Sequence, residues 1–267
     1  MRKVTVFLMG GFGNCLFQLN QAYSLRSYGL DVEISTALIS SSKLHRLLGW
    51  SVHDIPALDS LLRGFNVSNS LTLWQCIYLA AIFAAKKLSI ADFQNVRSAD
   101  KVGRYLIGYW QKGVVVNEEL LSSLRKELLD SGGCQVVRNV IHARRGDFSE
   151  HIRLPLQYYV DALQSQGITR ATVVTDTPDF VEELREATVG SGIAISLHRG
   201  LDMLEDFRVL ANASVLISSN STFCFWASQL VPAKKLIFPD RIAPCVPWTW
   251  PLGNPASERV SCSGFWD

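Results

Sequence analysis

The chain has no pair of cysteines at the spacing of a metal site, no apolar run long enough to cross a bilayer, and no surplus of either charge. Its six cysteines (Cys15, Cys76, Cys134, Cys224, Cys245 and Cys262) are scattered. Several lie in apolar runs, where a thiol behaves as a small hydrophobe. This argues against a zinc site and a disulfide framework, and for a reducing, cytoplasmic setting. Lys and Arg number 26 against 24 Asp and Glu, a net charge of +2. No bulk field exists to draw nucleic acid, so any anion has to be held locally. Residues 2–9 imitate a secretory signal, but the apolar part is too short and glycines follow it. Without a secretory route, the glycosylation patterns at Asn66, Asn212 and Asn220 carry no meaning. The most apolar stretch, residues 71–85, is closed by Lys86-Lys87. We expect a buried helix there, the alternative being a helix lying in a membrane surface.

What the chain does have is the composition of a packed globular protein, with 48% hydrophobic and 19% charged residues over 267 positions. That length fits one large domain or two modest ones. Residues 4–9 read as a strand and 16–28 as a helix closed by Gly29, with Gly10-Gly11-Phe12-Gly13-Asn14 as a tight turn between them. Residues 31–35 read as a second strand. Residues 40–62 are poorly patterned. Residues 105–111 read as a strand and 117–129 as an amphipathic helix. Asp130-Ser131-Gly132-Gly133 is the best linker, which divides the chain into domains 1–130 and 134–267. The second half alternates more regularly. Strands are expected within 136–143 and at 172–175, 193–197, 215–218 and 236–238, with helices at 155–165, from Thr177-Pro178, at 201–212 and at 223–230. This rhythm predicts an α/β fold with a parallel sheet covered on both faces.

One stretch concentrates the chemistry. Residues 140–148 read V-I-H-A-R-R-G-D-F: an apolar strand end running into an imidazole, two guanidiniums, a glycine and a carboxylate. Strand side chains alternate, so Val140, His142 and Arg144 share one face and Arg145 begins on the other. Open α/β sheets bind ligands at the carboxyl ends of their strands. A guanidinium fork there either holds a phosphate or clamps Asp147 as a structural ion pair, and one arginine for each job is also consistent. Two further strand ends are polar: Asp176, and Ser218-Ser219-Asn220-Ser221-Thr222 before a helix. The second is either a phosphate site or ordinary N-capping. Three such ends in one sheet favour a nucleotide. The N-terminal glycine turn, aimed at a helix start, suits a phosphate or a sugar hydroxyl, or is a turn with no ligand. As a dinucleotide fingerprint it lacks the third glycine, since Leu16 stands in that place, although Glu33 sits where a ribose-binding acid would.

Residues 10–18 (GGFGNCLFQ) resemble the G-G-L-G-N-Q-M-F-Q signature of the α-1,2-fucosyltransferases of glycosyltransferase family 11. Residues 141–148 resemble that family's H-x-R-R-G-D-Y motif, residues 219–227 (SNSTFCFWA) its N-S-T-x-S-W-W-A block, and residues 105–111 its strand before the linker. The blocks fall in the same order over residues 4–239. Cys15, Phe148 and Cys224-Phe225 depart from the pattern.

The resemblance implies a GT-B-like fold of two Rossmann-like domains facing a cleft, the N-terminal one for the acceptor and the C-terminal one for the GDP-sugar. It implies GDP-β-L-fucose as donor, inverting transfer to a sugar hydroxyl (usually the 2-OH of galactose, here in a surface glycan or lipid-linked acceptor), and no metal or other cofactor. It further implies catalytic roles for Arg144, Arg145 and Asp147. Arg144 would hold the diphosphate, and Arg145 would come second, either on a phosphate or braced by Asp147. His142 and Asp176 would contact the guanosine, Asn220, Ser221 and Thr222 the phosphates, and Asn14 and Gln18 the fucose or diphosphate. Two other readings stay open: an NAD(P)-dependent oxidoreductase built on the glycine turn, and a non-catalytic nucleotide-sugar-binding module.

Overall fold

The computed structural model describes residues 2–40, 56–87, 103–111, 114–129, 137–148, 150–200, 202–230, 235–239 and 257–260. The chain divides into two compact units, Met1–Glu127 and Leu128–Asp267. The linker expected at residues 130–133 lies outside the described residues.

The first unit opens with strand β1 (Lys3–Phe7), helix α1 (Phe12–Ser27) and strand β2 (Asp31–Ser35). Gly10 makes the turn at φ +78°. The helix starts earlier than its sequence suggests: Gly11 is the N-cap, and Gly13 lies within the first turn. A short helix α2 (Ala37–Ser40), helix α3 (Pro56–Leu61), strand β3 (Asn66–Ser68) and helix α4 (Leu73–Lys87) follow. Strand β4 covers only Tyr105–Leu106, not the seven-residue strand expected. The chain leaves the sheet before Trp110, which adopts the left-handed φ of +44° and cannot continue a strand. Helix α5 (Glu118–Leu124) ends in a wider π turn at Arg125–Leu129. Its N-cap, Asn117, accepts from the N–H groups of Glu119 and Leu120. Asn20 on α1 pins the entry to α5, accepting from Asn117 N at 2.7 Å and donating to Val115 O at 2.9 Å. The sheet order is β3-β2-β1-β4, and all its pairings are parallel.

Helix α4 departs from expectation. Leu79 is buried, and Tyr78 and Ile82 pack with it against Phe7, Met9 and Ile107. Leu73, Trp74 and Ile77, however, are large and exposed. A stretch apolar on every side covers the sheet with one face and leaves another in solvent.

The second unit follows its predicted rhythm. Its elements are β5 (Asn139–Ala143), α6 (Leu156–Ser165), β6 (Arg170–Thr175), α7 (Asp179–Ala187), β7 (Ala194–Leu197), α8 (Met203–Ala211), β8 (Val215–Ile217), α9 (Thr222–Gln229) and β9 (Lys235–Pro239). A further strand, β10 (Ser257–Val260), was not legible in the sequence. All six strands are parallel, in the order β10-β9-β8-β5-β6-β7. Strand β5 is central, with Val140, Ile141 and Ala143 fully buried. Ile141 and Ala143 pack into a core built with Tyr158, Leu163, Phe180 and Leu184 from α6 and α7. The opposite face meets α8 and α9, where His142 lies 5.9 Å from the Phe223 ring and Phe223 packs edge-on against Phe207. Both faces of the α/β sheet are therefore covered.

Candidate active site

The first four strands of the second unit do not add in one direction. From β5 the chain builds outward through β6 to β7, then crosses to the other side of β5 for β8, β9 and β10. Numbered within the unit, the order is 3-2-1-4-5-6. The loops leaving β5 and β8 therefore diverge, and a crevice opens at the carboxyl ends of these two neighbours. His142 and Arg144 leave β5 at this point, and residues 218–222 leave β8 there.

The two sides are joined directly. His142 Nδ1 lies 2.7 Å from Ser219 Oγ. The ring is buried; burial, reinforced by the Arg144 charge and partly offset by Asp176, lowers its pKa to about 3. At neutral pH His142 is an uncharged hydrogen-bonding group. The loop beyond β8 is fixed from below: Tyr158 OH donates to Ser218 O at 2.8 Å, and Asn220 Nδ2 donates to Ile152 O at 2.7 Å. Ser221 is the N-cap of α9, its Oγ accepting from Phe223 N at 3.3 Å. Ser218 Oγ and Asn220 Oδ1 are buried and unpaired among the described residues. Two buried polar atoms without partners, at a helix start in a crevice, are the kind of exception that a ligand satisfies.

The two arginines part company, as strand alternation requires. Arg144 forms a bidentate pair with Asp147, Nε to Oδ1 at 2.8 Å and Nη2 to Oδ2 at 2.7 Å, and its Nε lies 3.1 Å from Asp176 Oδ2. Burial alone would lower its pKa; the Asp147 hydrogen bonds and the charges of Asp147 and Asp176 outweigh that and raise it. Arg145 turns to the other face. Its guanidinium sits 4.6 Å above the Phe180 ring, donates to Leu154 O at 3.4 Å and faces Glu183 at 3.7 Å. The structure does not bring its charge to the Arg144 group. Its backbone N–H does contribute, donating with Gly146 N to Asp176 Oδ1 at 2.9 and 3.0 Å. Burial pushes the Asp176 carboxyl up, but these two N–H groups and the charge of Arg144 hold it below the usual range. A Cβ on Gly146 would stand 3.0 Å from Asp176 Oδ2, so glycine lets the carboxylate in.

The first unit has its own reversal, between β1 and β4. Asn14, in the first turn of α1, accepts from Gln111 Nε2 at 2.9 Å across it. Sequence reasoning selected Asn14 but not Gln111. The signal was present, since Gln111 closes the 105–111 block, but the pairing spans 97 positions. Gln18 is completely buried, and its amide is spent on the backbone of Met9: Oε1 accepts from Met9 N at 2.8 Å and Nε2 donates to Met9 O at 3.2 Å. In this geometry Gln18 fixes the turn after β1. Glu33 does not behave as a ribose acid. It lies mid-strand opposite Thr5 and pairs with Lys3.

No family model matches the chain, and no curated protein matches it by sequence. Solved structures similar to it are glycosyltransferases. The E. coli heptosyltransferase WaaC with ADP aligns at a TM-score of 0.49 and 10% identity, over 97% of this chain and 93% of that one. The fucosyltransferase NodZ from Bradyrhizobium aligns at 0.43 and 17%, over 90% and 94%. POFUT1 in complex with GDP aligns at 0.40 and 11%, over 89% and 98%.

Proposed function

We propose that the chain is a GT-B-type inverting fucosyltransferase of family 11 character, moving L-fucose from GDP-β-L-fucose to a sugar hydroxyl, with the 2-OH of a galactoside as the expected acceptor. The observation that supports it most is the meeting of the arginine motif with a capped helix start at the strand-order reversal of a parallel sheet. Fucosyl transfer breaks a glycosyl–phosphate bond and leaves negative charge on GDP. A guanidinium held in place before the reaction stabilises that charge without reorganising.

In this reading Arg144 binds the diphosphate, and Asp147 and Asp176 hold its guanidinium in one orientation. Asp147 is a brace, because a carboxylate paired to arginine is a weak base. Ser221, Thr222 and the first N–H groups of α9 meet the phosphate oxygens. Asn220 offers its unpaired Oδ1. His142 sets the position of Ser219 and presents a neutral ring edge to the nucleoside. Arg145 supports the fold beneath the site. Asn14, oriented by Gln111, contacts a sugar hydroxyl, and Gln18 keeps the turn that carries it.

The test is GDP release from GDP-fucose with a panel of galactosides, followed by NMR of the product. The proposal expects GDP release that depends on a galactoside and an α-1,2 product. Tight GDP-fucose binding with no release on any acceptor would replace it with a binding module.

A further inference from the structure

We propose that α4 and the adjoining cavity form a docking surface for an anionic phospholipid bilayer, with the helix lying in the plane of the membrane. The proposal does not depend on the sugar-nucleotide reading. Within two turns of α4, Leu73 is 74% exposed, Trp74 71% and Ile77 50%. Cys76, Ala80 and Ala81 are exposed beside them, while Gln75 is buried. A helix shaped only for water would show the reverse pattern. Clustered exposed apolar groups of this size mark an interaction surface.

Charge selects the occupant. No Asp or Glu occurs between Asp59 and Asp92, whereas Lys86 and Lys87 fall within that interval at the end of α4. A cavity of about 360 Å³ opens beside the apolar face, lined by Trp74, Ile77, Tyr78, Arg104 and Tyr105. Arg104 is exposed at its wall and stacks 5.6 Å from the Tyr105 ring. An aromatic and aliphatic surface with the Arg104 guanidinium at its edge matches lipid tails beneath anionic headgroups. The helix lies on the membrane and does not cross it: its 15 residues span roughly 22 Å at the α-helical rise, short of a hydrocarbon core of about 30 Å. Among the described residues no helix is long and apolar enough to cross.

The experiment is co-sedimentation of the full chain with vesicles of phosphatidylcholine alone or mixed equally with phosphatidylglycerol, at low and high salt, with analytical ultracentrifugation in parallel. The wild type should pellet with the mixed vesicles at low salt and far less with the neutral ones. Trp74→Ser with Ile77→Ser should cut the bound fraction about tenfold or more. Arg104→Gln should cost roughly fivefold on the mixed vesicles only. These positions are exposed, so the thermal midpoint and any GDP-induced shift should be unchanged, which separates this result from a failure of the active-site reading. No pelleting with mixed vesicles, or equal pelleting of the double variant, would overturn the proposal. So would a dimer, in the absence of vesicles, that the double variant abolishes.

Discussion

Arg144 and Arg145 are neighbours in sequence whose side chains lie in different surroundings, and the different duties proposed for them are testable. Arg144→Ala should lower turnover by roughly 100-fold or more, the loss expected for a strong electrostatic donor. Arg144→Lys should restore only part of it, because a point charge does not replace a fork. Arg145→Met should instead cost about 1 kcal/mol of stability through the lost contact over Phe180, with kcat close to wild type. A collapse of kcat in the Arg145 variant at unchanged stability would return to it the catalytic role that the family resemblance implies. His142 carries a pH signature. Its folded pKa of about 3 lies below the usual 6.5, so the unfolded chain binds more protons between those values. Stability is therefore lost as pH falls from about 6.5 towards about 3. Urea midpoints measured across that window should fall steeply for the wild type and less steeply for His142→Asn. Gly146→Ala should push Asp176 off the backbone and loosen its hold on Arg144, weakening GDP binding by up to about tenfold. Calorimetry showing unchanged GDP affinity would separate Asp176 from the site. That the two arginines take opposite faces was legible from strand alternation; that Asp147 pairs with Arg144 was not. Tyr158 was not, because a tyrosine on a helical stripe looks the same whether or not its hydroxyl reaches the loop at Ser218.

At the scale of elements, the joint between β1 and α1 shows how a buried amide can replace ladder pairing. Gln18 satisfies both polar groups of Met9, where the chain has left β1. Gln18→Leu would strand them in a dry interior and should cost about 2–3 kcal/mol, read as a lower urea midpoint at unchanged slope. No change in midpoint would mean that water replaces the amide. The family resemblance implied a sugar or diphosphate contact for Gln18; the fold shows its amide paired with the backbone nine residues earlier. Strand β10 escaped notice for a different reason. Ser257-Glu258-Arg259-Val260 has no apolar run, and it holds the sheet edge through the pairs of Glu258 with Gln166 and Lys235. The apolar stretch at α4 was visible, but composition does not say which faces are covered. The short β4 was hidden by the unusual backbone at Trp110, which no residue type announces.

For the whole molecule, alternation of strand and helix was enough to predict parallel sheets, since a parallel connection needs a crossover. The order of the strands was not in that pattern. Nothing in residues 194–217 announces that β8 returns to the far side of β5, yet that return creates the crevice where His142 meets Ser219. The sequence therefore supplied the chemical groups, and the topology supplied their meeting place. The central claim is that this meeting place binds a guanosine diphosphate. A thermal-shift titration in EDTA with GDP, UDP, NAD and NADP tests it directly. At about 100 times its dissociation constant, a ligand stabilises the native state by about 2.7 kcal/mol. The account predicts a shift with GDP alone, absent in Arg144→Ala. A shift with NAD or NADP alone would contradict it, and would make the glycine turn of the first unit the nucleotide site.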